Sequence, residues 1–132
     1  MATVDLNRDS LLVDDGNDGK VIVANLADIP GGRALDMTGF DGDVVKAGHI
    51  IKHNTETDAY APLGVSGEKY VALSDNEEYA GVLKASVLAS KPAAAILTVG
   101  QVNAAASPYP VTDEIIKGLP QIKFLYAKTK ED

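Results

Sequence analysis

The sequence predicts a mostly β protein with one short helix and an extended N-terminal arm or hairpin, and three observations lead there. From Val44 onward, short apolar runs alternate with Gly, Pro, Asn and Asp turn signals, the pattern of an all-β or mostly β body. A single stretch, residues 112–118, combines helix start and stop signals. Residues 1–43 have a different composition, acidic and punctuated by glycine every few positions, which suits an arm or hairpin better than a core.

In chain order, residues 11–14 and 20–24 read as two short strands. The turn Asp15-Gly16-Asn17-Asp18-Gly19 joins them, since Gly and Asn tolerate the positive φ of tight turns. Ile29-Pro30-Gly31-Gly32-Arg33 then breaks the chain, because proline removes a donor and paired glycines remove steric restraint. The reading therefore divides the chain into an N-terminal arm or hairpin region, 1–43, and a β-rich body, 44–132. Body strands are expected at 44–45, 49–53, 59–63, 69–73, 80–84, 94–99 and 121–127. Alanine weakens two of these, and residues 86–90 are compatible with a turn of helix. Thr112 is the expected N-cap of the helix, Asp113 and Glu114 suit the positive end of its dipole, and Gly118-Leu119-Pro120 stops it. The tail, residues 128–132, is polar and expected to fray. No internal repeat of 20–50 residues is visible.

Composition bounds the function. With 132 residues, one modest core is the default, and 45% hydrophobic against 5% aromatic residues makes that core Val, Leu, Ile and Ala. Such a core is thin for a lone monomer, so oligomerisation or docking is expected to supply part of the stability. Twelve Lys and Arg against 19 Asp and Glu leave a net charge of −7 and no basic cluster, which argues against a nucleic-acid partner. The absence of Cys excludes disulfides, thiolate zinc sites and thiol catalysis. The N-terminus lacks a basic region followed by an apolar run, and no apolar stretch approaches the roughly 20 residues of a membrane span, so a soluble, unprocessed chain without a membrane partner is expected.

Five motifs invite chemistry, and each has a plainer reading. Asp14, Asp18 and Gly19 resemble part of an EF-hand loop, but Gly16 holds the third ligand position and Asn25 the twelfth, so an acidic hairpin turn is the better account. His49 and His53 have the spacing of two metal ligands. No third ligand is evident, and a solvated sheet face is expected instead. The glycine-bounded turn from Asp41 to Gly48 has the form of a lipoyl or biotinyl carrier hairpin without the residues such carriers need around the lysine; it is read as a tight turn between two barrel strands. Gly64-Val65-Ser66-Gly67 lacks the spacing of a nucleophile elbow. Pro30-Gly31-Gly32-Arg33 is read as a flexible break in preference to an anion nest. No acid–base or nucleophile constellation emerges, and neither an enzyme nor a cofactor is expected.

The most distinctive stretch is 79–110, in which strand-like apolar runs hang on glycines and Lys84 and Lys91 are the only charges between Val82 and Val111. With Val45-Lys46-Ala47-Gly48-His49-Ile50, Tyr60-Ala61-Pro62-Leu63, Ala80-Gly81-Val82-Leu83 and Val99-Gly100-Gln101-Val102-Asn103-Ala104-Ala105-Ala106, it resembles the lambda-type head decoration proteins of tailed bacteriophages. The resemblance covers roughly residues 44–126. It implies a small β-barrel or β-tulip-like body that binds the major capsid protein on the outer surface of an expanded head. It also implies a homotrimer at threefold sites that stabilises the shell against the pressure of packaged DNA, in a protein made in the host cytoplasm and carried on the virion. The N-terminal arm would then add to a capsid sheet edge, with Val4, Leu6, Leu11 and Leu12 entering pockets, and Ala94, Ala104 and Ala105 would lie at the trimer contact. The longer, acidic N-terminal region departs from the family pattern. The alternatives are a head-fibre base or other minor virion component, and, further off, a soluble β binding or carrier module.

Overall fold

The computed structural model describes residues 18–29, 33–40 and 42–126. The first strand of the expected hairpin lies outside these residues, as do Val4, Leu6, Leu11, Leu12 and the tail.

The mostly β expectation holds. Strand β4 (Ile50–Asn54) pairs antiparallel with β5 (Tyr60–Pro62) on one side and β8 (Glu77–Leu83) on the other. The end of β8 pairs with the start of β11 (Ile96–Asn103), and β1 (Ile22–Asp28) runs antiparallel along the opposite side of β11. A last strand, β12 (Ile122–Leu125), joins β11 in parallel. Leu97 pairs with both Asp28 and Val82, and Gly100 with both Asn25 and Ile122, so β8 and β12 share one side of β11 in succession. A parallel pair needs a crossover. Here it is a 3₁₀ turn (Ala104–Ala106) followed by helix α2 (Asp113–Gly118).

Among the described residues this sheet ends at β1 and β5 and does not close, so the barrel expectation is corrected. The physical reason is the fork: β11 leaves β8 after Leu97 and takes β12 as its neighbour, which directs the sheet away from closure. Three two-stranded ribbons accompany it: β2 (Arg33–Ala34) with β10 (Ala93–Ala94), β3 (Val44–Val45) with β9 (Val87–Leu88), and β6 (Val65–Ser66) with β7 (Lys69–Tyr70). Residues 87–88 are therefore strand, and the helical alternative there is corrected. The turn at Ala47-Gly48 does link β3 to β4, but the two strands belong to different sheets.

Side chains alternate across a strand. Ile50, Val82 and Leu97 enter a core with Val102, Val111, Ile115, Leu119 and Ile122, whereas Ile51, Leu83 and Ile96 enter a second core with Leu35, Val45 and Ala94. The central strands are buried on both faces, which is why Ile50-Ile51, Val82-Leu83 and Ile96-Leu97 are consecutive apolar pairs. One core is capped by α2 and the other by the ribbons. The helix forms as its sequence predicts: Thr112 Oγ1 accepts from the Ile115 N–H at 3.3 Å, and Ile115 is buried.

Upstream, the expected 20–24 strand starts later. Asp18–Val21 is a single helical turn, α1, and β1 begins at Ile22 and runs on to Asp28. Val21 is fully buried in the first core, where a Cβ on Gly48 would stand 2.9 Å from its Cγ1. Gly48 has φ +94°, so this turn uses glycine both for its conformation and for the close approach.

Candidate functional surface

β1 is the outermost strand of the main sheet. One side of its backbone is bonded to β11, and no strand pairs with its other side among the described residues. Its register slips between Ile22 and Ala24, between Asn25 and Ala27, and between Ala27 and Asp28. These irregularities break the alternation, and three consecutive residues, Asn25, Leu26 and Ala27, are exposed. Val23 is 51% and Leu26 74% exposed, which makes β1 the strand with the most unprotected apolar surface in the described fold. Lys84 bonds Asp28 and anchors the end of the strand to the segment leaving β8; this bond holds the Asp28 carboxyl below its usual range.

A cleft of about 450 Å³ lies beside the β4–β5 hairpin, with Asp36, Lys52, Asn54 and Glu77 among polar groups over Phe40 and Leu63. Lys52 Nζ lies 2.9 Å from Glu77, whose other oxygen accepts the Ser74 N–H at 2.9 Å. The backbone bond from Ser74, then Lys52, depress the Glu77 carboxyl. Asp36 Oδ1 accepts from the Thr38 hydroxyl at 2.7 Å and the Thr38 N–H at 3.0 Å, and is depressed for that reason. Both carboxylates are thus ionised acceptors at neutral pH, and the cleft is equipped to bind polar groups over an apolar floor.

Phe40 and Tyr109 separate this cleft from a second hollow of about 450 Å³ next to His49. His49 was expected on a solvated face. It is instead 2% exposed, and it donates from Nε2 to the Leu63 carbonyl at 2.8 Å. Phe40, Tyr70 and Tyr109 surround its ring edge-on at 6.3, 5.3 and 5.7 Å. Burial lowers its pKa, so it is a neutral packing residue at pH 7. Tyr70 Oη accepts the Ile50 N–H at 3.2 Å, and burial raises its phenol well above the usual value. His53 has other partners altogether, Asp58 and Glu78, so the two histidines do not form a joint site.

The three alanines expected at a trimer contact separate. Ala94 is 1% exposed inside the second core and offers no surface to a neighbour. Ala104 is half-buried against the first core, and Ala105 is exposed on the 3₁₀ turn, where its N–H bonds Asn103 Oδ1 at 3.0 Å. Val23 and Leu26, the exposed apolar residues of β1, were not singled out in the sequence. Their signal was the unbroken apolar run 21–24 followed by Leu26, which no single face of a strand accommodates.

No protein-family profile, no curated protein and no solved structure matches this chain.

Proposed function

We propose that this chain is a virion structural protein that docks on the outer surface of an expanded phage capsid, as a trimer at threefold sites, and stabilises the head. The observation that supports this is the β1 edge. A strand whose outer side is unpaired among the described residues, with Val23 and Leu26 exposed, is built to take a partner strand, with main-chain bonds supplying affinity and alternate side chains supplying fit. Natural sheets ordinarily blunt such an edge with charge or proline, and β1 between Ile22 and Ala27 carries neither. In the capsid reading the occupant is a strand of the major capsid protein, and Ala105 faces a neighbouring copy.

The test is co-sedimentation of the full chain with decoration-depleted heads, expanded and unexpanded, with stoichiometry measured. Saturation at three copies per threefold site on expanded heads alone is the expected result. Sparse binding indicates a head-fibre base or vertex component instead, and no binding to either overturns the proposal. A soluble binding module is the second reading, favoured by the mixed polar and apolar cleft beside the β4–β5 hairpin. A small ligand bound by a chain with no affinity for heads would establish it.

A further inference from the structure

The tip of the β4–β5 hairpin is built around His53. Its Nδ1 lies 2.8 Å from Glu78 Oε2 on β8, and its Nε2 lies 2.7 Å from Asp58 Oδ1 in the hairpin turn. An ionised carboxylate only accepts, so both contacts are hydrogen bonds only when both ring nitrogens carry protons. The imidazolium is therefore the form this geometry fits. The ring stacks on Tyr60 of β5 with centroids 4.6 Å apart, and the Arg33 guanidinium of β2 lies 5.3 Å from the centroid of the same Tyr60 ring. Asp58, Glu78, Tyr60 and Arg33 are the titratable or charged groups around His53. Lys52 and Glu77 pair with each other beside the neighbouring cleft.

Asp58 meets His53 through its carboxylate. It has φ +61°, a conformation unfavourable for a residue with a Cβ, and its side chain is 77% exposed. Backbone bonds hold both limbs of the turn: the Asp58 N–H reaches the Asn54 carbonyl and the Asn54 N–H the Ala59 carbonyl, each at 2.8 Å, while the Thr55 N–H and hydroxyl reach the Asn76 carbonyl at 2.8 and 3.1 Å. Asn54 Oδ1 further accepts from the Glu56 and Thr57 amides at 2.9 and 3.0 Å. Asn54, Thr57 and Ala59 also line the cleft, so the position of this turn shapes its rim.

We propose that His53 is a proton-operated clasp: the imidazolium ties Asp58 to Glu78 across the hairpin, and deprotonation, which leaves one donor for two carboxylates, breaks that tie and loosens the turn at the cleft rim. Neutral histidine has one donor and serves one carboxylate only. The bonds to Asp58 and then Glu78 raise the His53 pKa above its ordinary 6.5, and the bond from His53 lowers that of Asp58 below 3.8. A raised histidine value means that the clasp is complete below pH 6.5 and opens as pH rises through the folded value. At the acid end it opens as pH falls through the lowered Asp58 value. The clasp operates in the free chain and does not depend on the capsid reading.

The experiment is a pH titration of the full chain by ¹⁵N NMR of the imidazole nitrogens, with hydrogen exchange of the Asp58 and Ala59 amides followed in parallel. The same measurements are made on His53→Gln and Asp58→Asn. The expected result has both ring nitrogens protonated at pH 6.5, a midpoint shifted above 6.5, and loss of Asp58 amide protection across that midpoint beyond the intrinsic pH dependence of exchange. In H53Q the protection is low and its pH step is absent, and in D58N the His53 midpoint moves down. A wild-type midpoint at or below 6.5 would overturn the proposal, as would an Asp58 protection profile identical in wild type and H53Q.

Discussion

Replacing Gly100 by alanine tests whether β11 sets the position of the exposed edge strand. Gly100 faces Asn25 of β1, and a Cβ added to it would stand 2.2 Å from the Ala24 carbonyl oxygen and 3.2 Å from Leu97 Cδ1. Real Cβ atoms essentially never approach closer than 3.0 Å, and the atom in the way is backbone, so β1 must move off β11. The strain of such overpacking is typically about 1–3 kcal/mol. Lengthening a neighbouring β1–β11 bond adds about 1 kcal/mol. G100A is therefore expected to lose about 2–4 kcal/mol, a large share of the roughly 5–15 kcal/mol typical of a domain. Urea denaturation reads this directly: with m about 2 kcal/mol/M, the midpoint falls by about 1–2 M at unchanged m. Gly67→Ala is the control, because Gly67 has φ +59° with no atom within 4 Å of the added Cβ. Its cost is the left-handed conformation alone, about 1–2 kcal/mol. If G100A lost no more stability than G67A, the close approach of β1 to β11 would not be a constraint, and the edge would not be placed as described. Hydrogen exchange in G100A is also expected to be faster at the β1 amides bonded to β11 than in the α2 segment.

Further outcomes follow from single side chains. Leu26→Asp on the exposed edge is expected to change stability by no more than about 0.5 kcal/mol while abolishing co-sedimentation with expanded heads. Ala105→Glu is expected to behave likewise if that turn meets a neighbouring copy, whereas Ala94→Glu is expected to abolish folding, by circular dichroism, because it buries an unpaired charge in the second core. Leu97→Ala opens a cavity at the junction of β1, β8 and β11 and is expected to cost about 2–5 kcal/mol in denaturant titrations. Tyr70→Phe orphans the Ile50 N–H and is expected to cost about 1–3 kcal/mol in the same assay. The two histidines act with opposite sign. His49 has a lowered value, so its neutral form favours the fold above pH 6.5 and the advantage is lost as pH falls toward the folded value. His53 contributes below 6.5 and loses its contribution above. In H53Q, denaturation midpoints are therefore expected to lose the decline seen in wild type above pH 6.5 and to keep the decline below it.

The mostly β class, the body strands of the main sheet and the α2 helix were legible in the sequence because they depend on neighbouring residues, whereas β6 and β9 were not expected. Thr112 caps Ile115 three residues away, and Ile50 and Ile51 are apolar together because both faces of a central strand are covered. What pairs with what was not legible. β11 shares one side between β8 and β12, and the sheet is open among the described residues, because of contacts between residues far apart in the chain. The same reason separates the alanines: Ala94 and Ala105 are alike in sequence, but the register of β10 with β2 turns Ala94 into the core while the 3₁₀ turn leaves Ala105 outside. His49 and His53 share a short motif, yet one is packed among aromatic rings and the other is gripped by carboxylates brought from the adjacent turn and the neighbouring strand. Composition and spacing determined which segments become strands. Only the tertiary structure decided which edge is open among the described residues and which ionisable groups meet, since burial and charge pairing are set by distance in space.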